Sequence, residues 1–132
     1  MEITVSEKAG SVPVTLFRVE GEIAANTYQQ LEQRAREAYE AGTRYLLLDL
    51  GEVTFVSSAG IRAISSIYNL LRGESPAESD ATVREGIRAG TYKSAHLKLL
   101  KPGKQALSTL EMAGLDMYLE IFTSEKKAID SF

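Results

Sequence analysis

The feature of the sequence that most constrains the fold is a short apolar run, YLLLDL, at residues 45–50. Residues 27–41 before it and residues 58–71 after it repeat apolar side chains at helical spacing, and Gly42 supplies a stop for the first helix. A short run that carries only one acid is typical of a strand buried on both faces. A buried strand between two helices predicts a layered α/β domain.

The remaining segments extend this pattern. Residues 2–20 alternate apolar and polar side chains around a break at residues 8–11, which predicts a hairpin of two strands that ends at Gly21. Either Asn26 or Thr27 is expected to cap the first helix. The spacing of apolar residues after residue 95 predicts a strand at 97–100, a helix at 102–113, a strand at 118–122 and a helix at 124–131. We therefore expect an α/β fold with a mixed four- to five-stranded sheet and about four helices packed on it.

The segment at residues 73–95 interrupts this regular pattern. Gly, Ser, Pro and charged residues dominate it. A structureless loop of this length is uncommon within a compact domain. We expect a single domain over residues 1–132 that carries a loop insertion at about 73–95, with space for one short helix capped by Asp80 or Thr82.

Composition excludes several classes of function. The 132 residues include no cysteine and a single histidine, His96, which excludes thiol catalysis, disulfide scaffolds and a multi-histidine metal centre. The net charge of −3 disfavours binding to a nucleic-acid backbone, and no apolar stretch approaches the roughly 20 residues that a membrane span requires. The first residues alternate like a strand and lack the basic start of a signal peptide. We expect a cytoplasmic protein without a metal or other cofactor.

One turn is a candidate functional site. A strand ends at Val56 and a helix begins immediately afterwards, so Ser57 and Ser58 lie where backbone N–H groups have no helical partner. Either hydroxyl could cap the helix. The free N–H groups and the helix dipole favour negative charge, so the fold would tolerate a phosphate on Ser58. Ala59 and Gly60 are small and leave the approach to the turn open.

Several segments in a fixed order carry a family resemblance. They are GEI at residues 21–23, LLLDL at 46–50, VTFVSSAGIR at 53–62 and MAGL at 112–115. This series resembles the STAS domain family and, within it, the stand-alone bacterial anti-sigma factor antagonists. The resemblance covers residues 3–72 and 96–130. It implies a STAS-type fold and a phosphoprotein that regulates transcription by exchanging partners.

The resemblance implies a switch with three partners. The unphosphorylated antagonist binds an anti-sigma factor that is also a serine kinase, and so frees a sigma factor. The kinase then phosphorylates the serine at the start of the second helix, which breaks the complex, and a PP2C-type phosphatase resets it.

The resemblance also assigns residues to this switch. Ser58 matches the phosphate acceptor. Ser57 is the alternative acceptor, and it stands where the family often has an Asp. The family often has a second Asp, and Ala24 occupies that position here. The expected partner-binding residues are Asn26, Ser57, Ala59, Gly60, Ile61 and Arg62.

Other functions are less consistent with the sequence. A serine hydrolase would need His96 as the base for Ser58, and the G-x-S-x-G turn is absent. Asp49 lacks the further carboxylates of a phospho-accepting Mg²⁺ site, so we expect it to accept backbone hydrogen bonds. KPGKQ at residues 101–105 lacks the upstream Gly of a P-loop.

We therefore expect a protein that is not an enzyme. The alternative to the switch is a non-switching STAS scaffold subunit of a larger signalling assembly. Such a subunit would pack through its apolar second helix and the insertion at 73–95.

Overall fold

A five-stranded sheet forms the centre of the computed structural model, which describes residues 1–73 and 79–132. The strands are β1 (Glu2–Ala9), β2 (Pro13–Ile23), β3 (Leu46–Val56), β4 (Leu97–Leu100) and β5 (Ile121–Phe122). They lie in the order β1-β2-β3-β4-β5, with β1 and β2 antiparallel and the later pairs parallel. The predicted mixed sheet is confirmed.

Helices cover both faces of this sheet. The α-helices of the described residues are α1 (Tyr28–Glu40), α2 (Ser58–Arg72), α3 (Asp80–Ala89), α4 (Lys104–Met112) and α5 (Glu125–Ser131). The helix beyond the expected four is α3, which lies within the segment predicted as a loop insertion. Ser79 caps α3, rather than Asp80 or Thr82, because its Oγ accepts a hydrogen bond from the Thr82 N–H at 3.3 Å. Residues 74–78 of that segment lie outside the described residues.

Two strands are longer than their sequence pattern indicates. Gly21 was expected to end β2, but the strand continues through it. The register of β2 against β3 changes at this point, and Gly21 accommodates the change because glycine can adopt its φ of 98°. β3 runs unbroken from the buried run at 46–50 to the serine turn. Both strands therefore reach the same edge of the sheet, where Ile23 pairs with Val56.

The C-terminal elements are shorter than predicted. Only Ile121 and Phe122 of the strand expected at 118–122 join the sheet. The Tyr118 N–H instead donates to the Leu115 carbonyl in a 3₁₀ turn, and the Leu119 N–H donates to the same carbonyl across four residues. The helix predicted at 102–113 begins at Lys104.

The apolar run at the start of β3 is buried on both faces, as expected. Leu46, Leu48 and Leu50 pack in the larger core cluster with side chains of α1, α2 and α4. Leu47 joins a smaller cluster on the opposite face, which includes Ala128 from α5. This division follows from the two-residue period of a strand. Each fully buried leucine contributes about 2 kcal/mol, so this strand anchors both layers.

Asp49 has the structural role expected of it. The carboxylate is buried, with Oδ2 3.2 Å from Arg18 Nε and Oδ1 accepting the Gly51 N–H at 2.9 Å. In the described part of the chain, no group of three or more His, Asp or Glu residues is placed to hold a metal ion. In the same part, no helix is long and apolar enough to cross a membrane.

Candidate functional site

The serine turn lies at the edge of the sheet where β2 and β3 end. Their parallel register pairs Ile23 with Val56, and α2 begins two residues after Val56. The Ser57 N–H donates to the Ile23 carbonyl at 3.0 Å, which extends the pairing of the strands by one residue. The start of α2 is therefore attached directly to the end of β2.

Ser57 and Ser58 have different roles in this turn. Ser57 is the cap, with φ −93° and ψ 178°, and its Oγ accepts the Gly60 N–H at 3.2 Å. The same hydroxyl lies 3.4 Å from the Ile23 carbonyl oxygen, to which it donates. Ser57 is half-buried, whereas Ser58, the first residue of α2, is exposed. Of the two candidate caps, Ser57 is thus the one used.

Small residues let the first turn of α2 pack closely against the sheet. A Cβ on Gly60 would overlap the Ile23 carbonyl oxygen and lie 3.0 Å from Val56 Cγ1. Ala59 and Gly60 are both buried. Their side of the turn therefore faces the core, and what they contribute to the site is the position of the helix rather than a surface.

An open groove of about 650 Å³ runs between α2 and α4 beside this turn. Its apolar part includes Met112, which is 86% exposed, and the edge of Ile61, which is 9% exposed. Arg62 is exposed and supplies a cation. The groove is lined by Ser58, Ile61, Arg62, Thr109, Met112 and Ala113.

The structure brings three of the predicted site residues to this groove, namely Ser58, Ile61 and Arg62. Asn26 is exposed in the loop between β2 and α1, and it does not line the groove.

Neither of the predicted caps of α1 accepts a side-chain hydrogen bond from the first turn of the helix. Thr27 precedes the helix, but its Oγ1 instead accepts the Ala24 N–H at 2.9 Å and donates to the Glu22 carbonyl at 2.8 Å.

Gln105 is a positioning residue that the sequence did not reveal. Its Oε1 accepts the Val56 N–H at 2.8 Å, and its Nε2 donates to the Val56 carbonyl at 2.9 Å and to Thr109 Oγ1 at 2.9 Å. β4 pairs with β3 only as far as Asp49, so no strand is available beside Val56 on that side. The side-chain amide of Gln105 takes the place of a strand backbone there. It links α4 to the residue that precedes the serine turn.

Met112 was also missing from the predicted site, although the sequence contains a signal for it. In the helix predicted at 102–113, Ala106 and Leu110 lie four residues apart on the buried face. Met112 lies on the opposite side of the helix from Leu110. An apolar residue off the buried stripe indicates an exposed apolar surface.

The first turn of α2 and the lining of the groove carry no acidic side chain. α2 has no acidic residue in its first turn, and its N-terminal N–H groups carry the positive end of the helix dipole. The residues that line the groove include Arg62 and no acid. These features favour an anionic group near Ser58.

The hydrolase hypothesis for Ser58 is wrong, because His96 lies at the other end of the sheet. The His96 carbonyl accepts from the N–H of Leu46, the first residue of β3, whereas Ser58 follows the last. Ten residues of strand at about 3.3 Å each separate these ends by roughly 30 Å. His96 Nδ1 lies 2.8 Å from the Arg44 carbonyl oxygen, and its ring stacks on Tyr45.

Comparison with known proteins identifies the family to which this fold belongs. The family model of the STAS domain matches residues 4–75, which is more than half of the chain. The protein belongs to the STAS domain family. No curated protein sequence matches the chain.

Solved structures show the same fold over nearly the whole chain. An anti-sigma factor antagonist from Mycobacterium paratuberculosis is 19% identical with a TM-score of 0.68, over 96% of this chain and 91% of its own. The anti-sigma factor antagonist SpoIIAA in its unphosphorylated form is 14% identical with a TM-score of 0.61, over 98% and 96%. The phosphorylated form of SpoIIAA from Bacillus is 15% identical with a TM-score of 0.60, over 96% and 97%. The predicted STAS-type fold is confirmed.

Proposed function

We propose that this chain is a phosphorylation-gated anti-sigma factor antagonist. It binds an anti-sigma factor that is also a serine kinase while Ser58 is unmodified, and it releases that protein when Ser58 is phosphorylated. The observation that carries the proposal is the division of roles between the two serines. The Ser57 hydroxyl is engaged as the helix cap, and the Ser58 hydroxyl is exposed on the wall of a groove.

The chemistry that gates binding is a phosphoryl transfer performed by the partner. The Ser58 Oγ forms a bond to the γ-phosphorus of ATP, the bond from that phosphorus to ADP breaks, and the hydroxyl proton passes to a base of the kinase. The product carries about two negative charges and three acceptor oxygens at the groove. A PP2C-type phosphatase hydrolyses the ester and restores the hydroxyl. The chain itself is a substrate and a binding protein, not a catalyst.

The phosphate acts on docking rather than on folding. The start of α2 favours an anion, so the modified chain keeps its structure. A partner that covers Ser58 would have to strip water from the phosphate and would meet charge repulsion from any acidic side chain it presents to Arg62. Both effects weaken the complex at the groove while they leave the core unchanged.

Ser57 is a poorer acceptor than Ser58 on the same geometry. Its phosphorylation would require the hydroxyl to leave the Gly60 N–H and the Ile23 carbonyl, with the loss of about 1 kcal/mol of capping energy. Ser58 requires no such rearrangement, because it is already exposed.

The scaffold alternative relied on two packing surfaces, the apolar second helix and the insertion at 73–95. The first of these is not available. The apolar side chains of α2 that suggested a packing surface, such as Ile64, Ile67 and Leu71, are 2% exposed or less and belong to the core of the chain itself. We therefore place the binding surface at the groove. The proposed setting is sigma-factor signalling in a bacterial cytoplasm, with proteins rather than nucleic acid or membrane as partners.

The deciding experiment begins with the chain isolated from its native cells together with its bound proteins. The purified kinase is incubated with ATP and with the wild type, Ser58→Ala or Ser57→Ala, and the phosphate is located by peptide mass spectrometry. We expect one phosphate on Ser58 in the wild type and in Ser57→Ala, and none in Ser58→Ala. Binding to the kinase should persist in Ser58→Ala and be lost in Ser58→Glu.

Two results would contradict the proposal. Phosphate on Ser57 would move the switch to the cap of the helix. Equal binding by Ser58→Ala and Ser58→Glu, with no phosphate on either serine, would favour the non-switching scaffold subunit. Far-UV circular dichroism of each variant controls for loss of the fold.

A further inference from the structure

Arg62 is an uncommitted cation beside the proposed phosphate acceptor. Within residues 1–73 and 79–132, Arg18 contacts Asp49 and Arg72 contacts Asp80. Arg62 has no ion pair with the described residues, and its side chain is exposed on the wall of the groove. Because nothing in the described structure uses this charge, it is available to a bound molecule.

The helix places Arg62 close to Ser58. The two residues are four apart in α2, so their Cβ atoms lie on one face about 5–6 Å apart. Side chains on a helix lean toward its N-terminus, which directs the side chain of Arg62 toward the turn that contains Ser58. Both residues line the same groove. A phosphate on Ser58 would therefore lie within reach of the guanidinium, which is suited to bind two phosphate oxygens at once.

We propose that Arg62 couples phosphorylation of Ser58 to release of the docked protein, because the Arg62 side chain exchanges one ion pair for another. In the unmodified chain, Arg62 binds an acidic side chain of the docked protein. In the modified chain, it pairs with the phosphate on Ser58, so the docked protein loses its cationic contact in addition to meeting the new charge. This inference rests on the proposed function, because it requires a phosphate at Ser58.

The pairing can be tested without the kinase. Phosphoserine is incorporated at position 58 during synthesis, and the pKa of the phosphate is measured by ³¹P NMR in the wild type, Arg62→Gln and Arg84→Gln. Arg84 is the matched control, because it is an exposed helical arginine that does not line the groove. A neighbouring cation favours the doubly charged phosphate. The pKa of the phosphate should therefore be lower in the wild type than in Arg62→Gln.

The expected difference is about half a pH unit at low salt, and it should shrink at 1 M salt. Arg84→Gln should titrate like the wild type. The Nε–Hε signal of Arg62 should shift with the same midpoint as the phosphate. Equal phosphate pKa values in the wild type and Arg62→Gln would overturn the inference, whatever the kinase does.

A second measurement tests the coupling itself. With the purified kinase, Arg62→Gln should weaken binding of the unmodified chain and reduce the ratio of affinities between unmodified and phosphorylated chains by about two- to fivefold. An unchanged ratio would show that Arg62 does not couple the two events. If cells never phosphorylate Ser58, the proposed function fails while the NMR result stands, so the two failures are distinguishable.

Discussion

Gly60 fixes how closely α2 approaches the sheet. The nearest obstacle to a side chain there is the Ile23 carbonyl oxygen, a backbone atom that also accepts the Ser57 N–H. Backbone held by sheet pairing cannot move aside as the end of a flexible side chain can. The requirement for Gly60 is therefore steric, and it belongs to the same contact that positions both serines.

We predict that Gly60→Ala lowers the free energy of unfolding by about 1–3 kcal/mol. Alanine gains about 1 kcal/mol in helix propensity over glycine, but the overlap with the Ile23 carbonyl exceeds that gain. Urea unfolding followed by circular dichroism measures the change. Gly103→Ala is the control, since a Cβ there has nothing within 4 Å. If both variants lost the same stability, the close approach would not explain the glycine.

At the scale of the elements, Gln105 joins α4 to the end of β3. β4 does not extend beside Val56, so on the side away from β2 the side-chain amide of Gln105 satisfies both backbone groups of that residue. The groove lies between α2 and α4, and this contact sets the distance between its walls. α4 is thus part of the site, although it follows the serine turn by more than 40 residues.

We predict that Gln105→Leu destabilises the chain by about 1–3 kcal/mol, because the N–H and C=O of Val56 lose their partners. Hydrogen exchange should show faster exchange of the Val56 amide than the overall loss of stability explains. Gln33→Leu, an exposed position on α1, controls for the removal of a glutamine from a helix. Unchanged protection of the Val56 amide would refute the role given to Gln105.

At the scale of the whole molecule, the buried Tyr68 and the half-buried Tyr92 and Tyr118 join distant segments. The rings of Tyr68 and Tyr118 pack with centroids 4.9 Å apart, and the hydroxyls of Tyr68 and Tyr92 are 2.7 Å apart. Burial raises the pKa of the Tyr118 phenol above its usual value of 10.0, and a hydrogen bond with Ser65 opposes part of this shift. The folded chain therefore favours the neutral phenol.

We predict that stability decreases as the pH rises above about 10. The unfolded chain releases the Tyr118 proton near that pH, and the folded chain retains it. The free energy of unfolding therefore keeps its full value below the pKa of Tyr118 in the unfolded chain, and it falls as the pH rises through the pKa in the folded chain. Tyr118→Phe should flatten this decrease, and Tyr28→Phe, on α1, should not. Absorbance at alkaline pH should show a late-ionising tyrosine that Tyr118→Phe removes. An identical alkaline decrease in wild type and Tyr118→Phe would refute this assignment.

Much of the fold was predictable because local periodicity reports burial. The apolar run at 46–50 indicated a strand with two buried faces, and the alternation of Leu46 and Leu47 between the two core clusters confirms it. The serine turn was also predictable, because a strand pattern meets a helix pattern there. α3 was harder to predict, since Val83 is its only buried residue and its apolar periodicity is correspondingly weak.

The sequence by itself determined the order of the elements, the doubly buried strand and a pair of serines at the start of a helix, because these depend on neighbours within a few residues. Only the tertiary structure decided which serine is the cap and which is exposed, since Ser57 is held by the Ile23 carbonyl 34 residues away. It also decided the groove, because the contact between Gln105 and Val56 spans 49 residues. Periodicity reports which face of an element is buried, but not which distant element covers it.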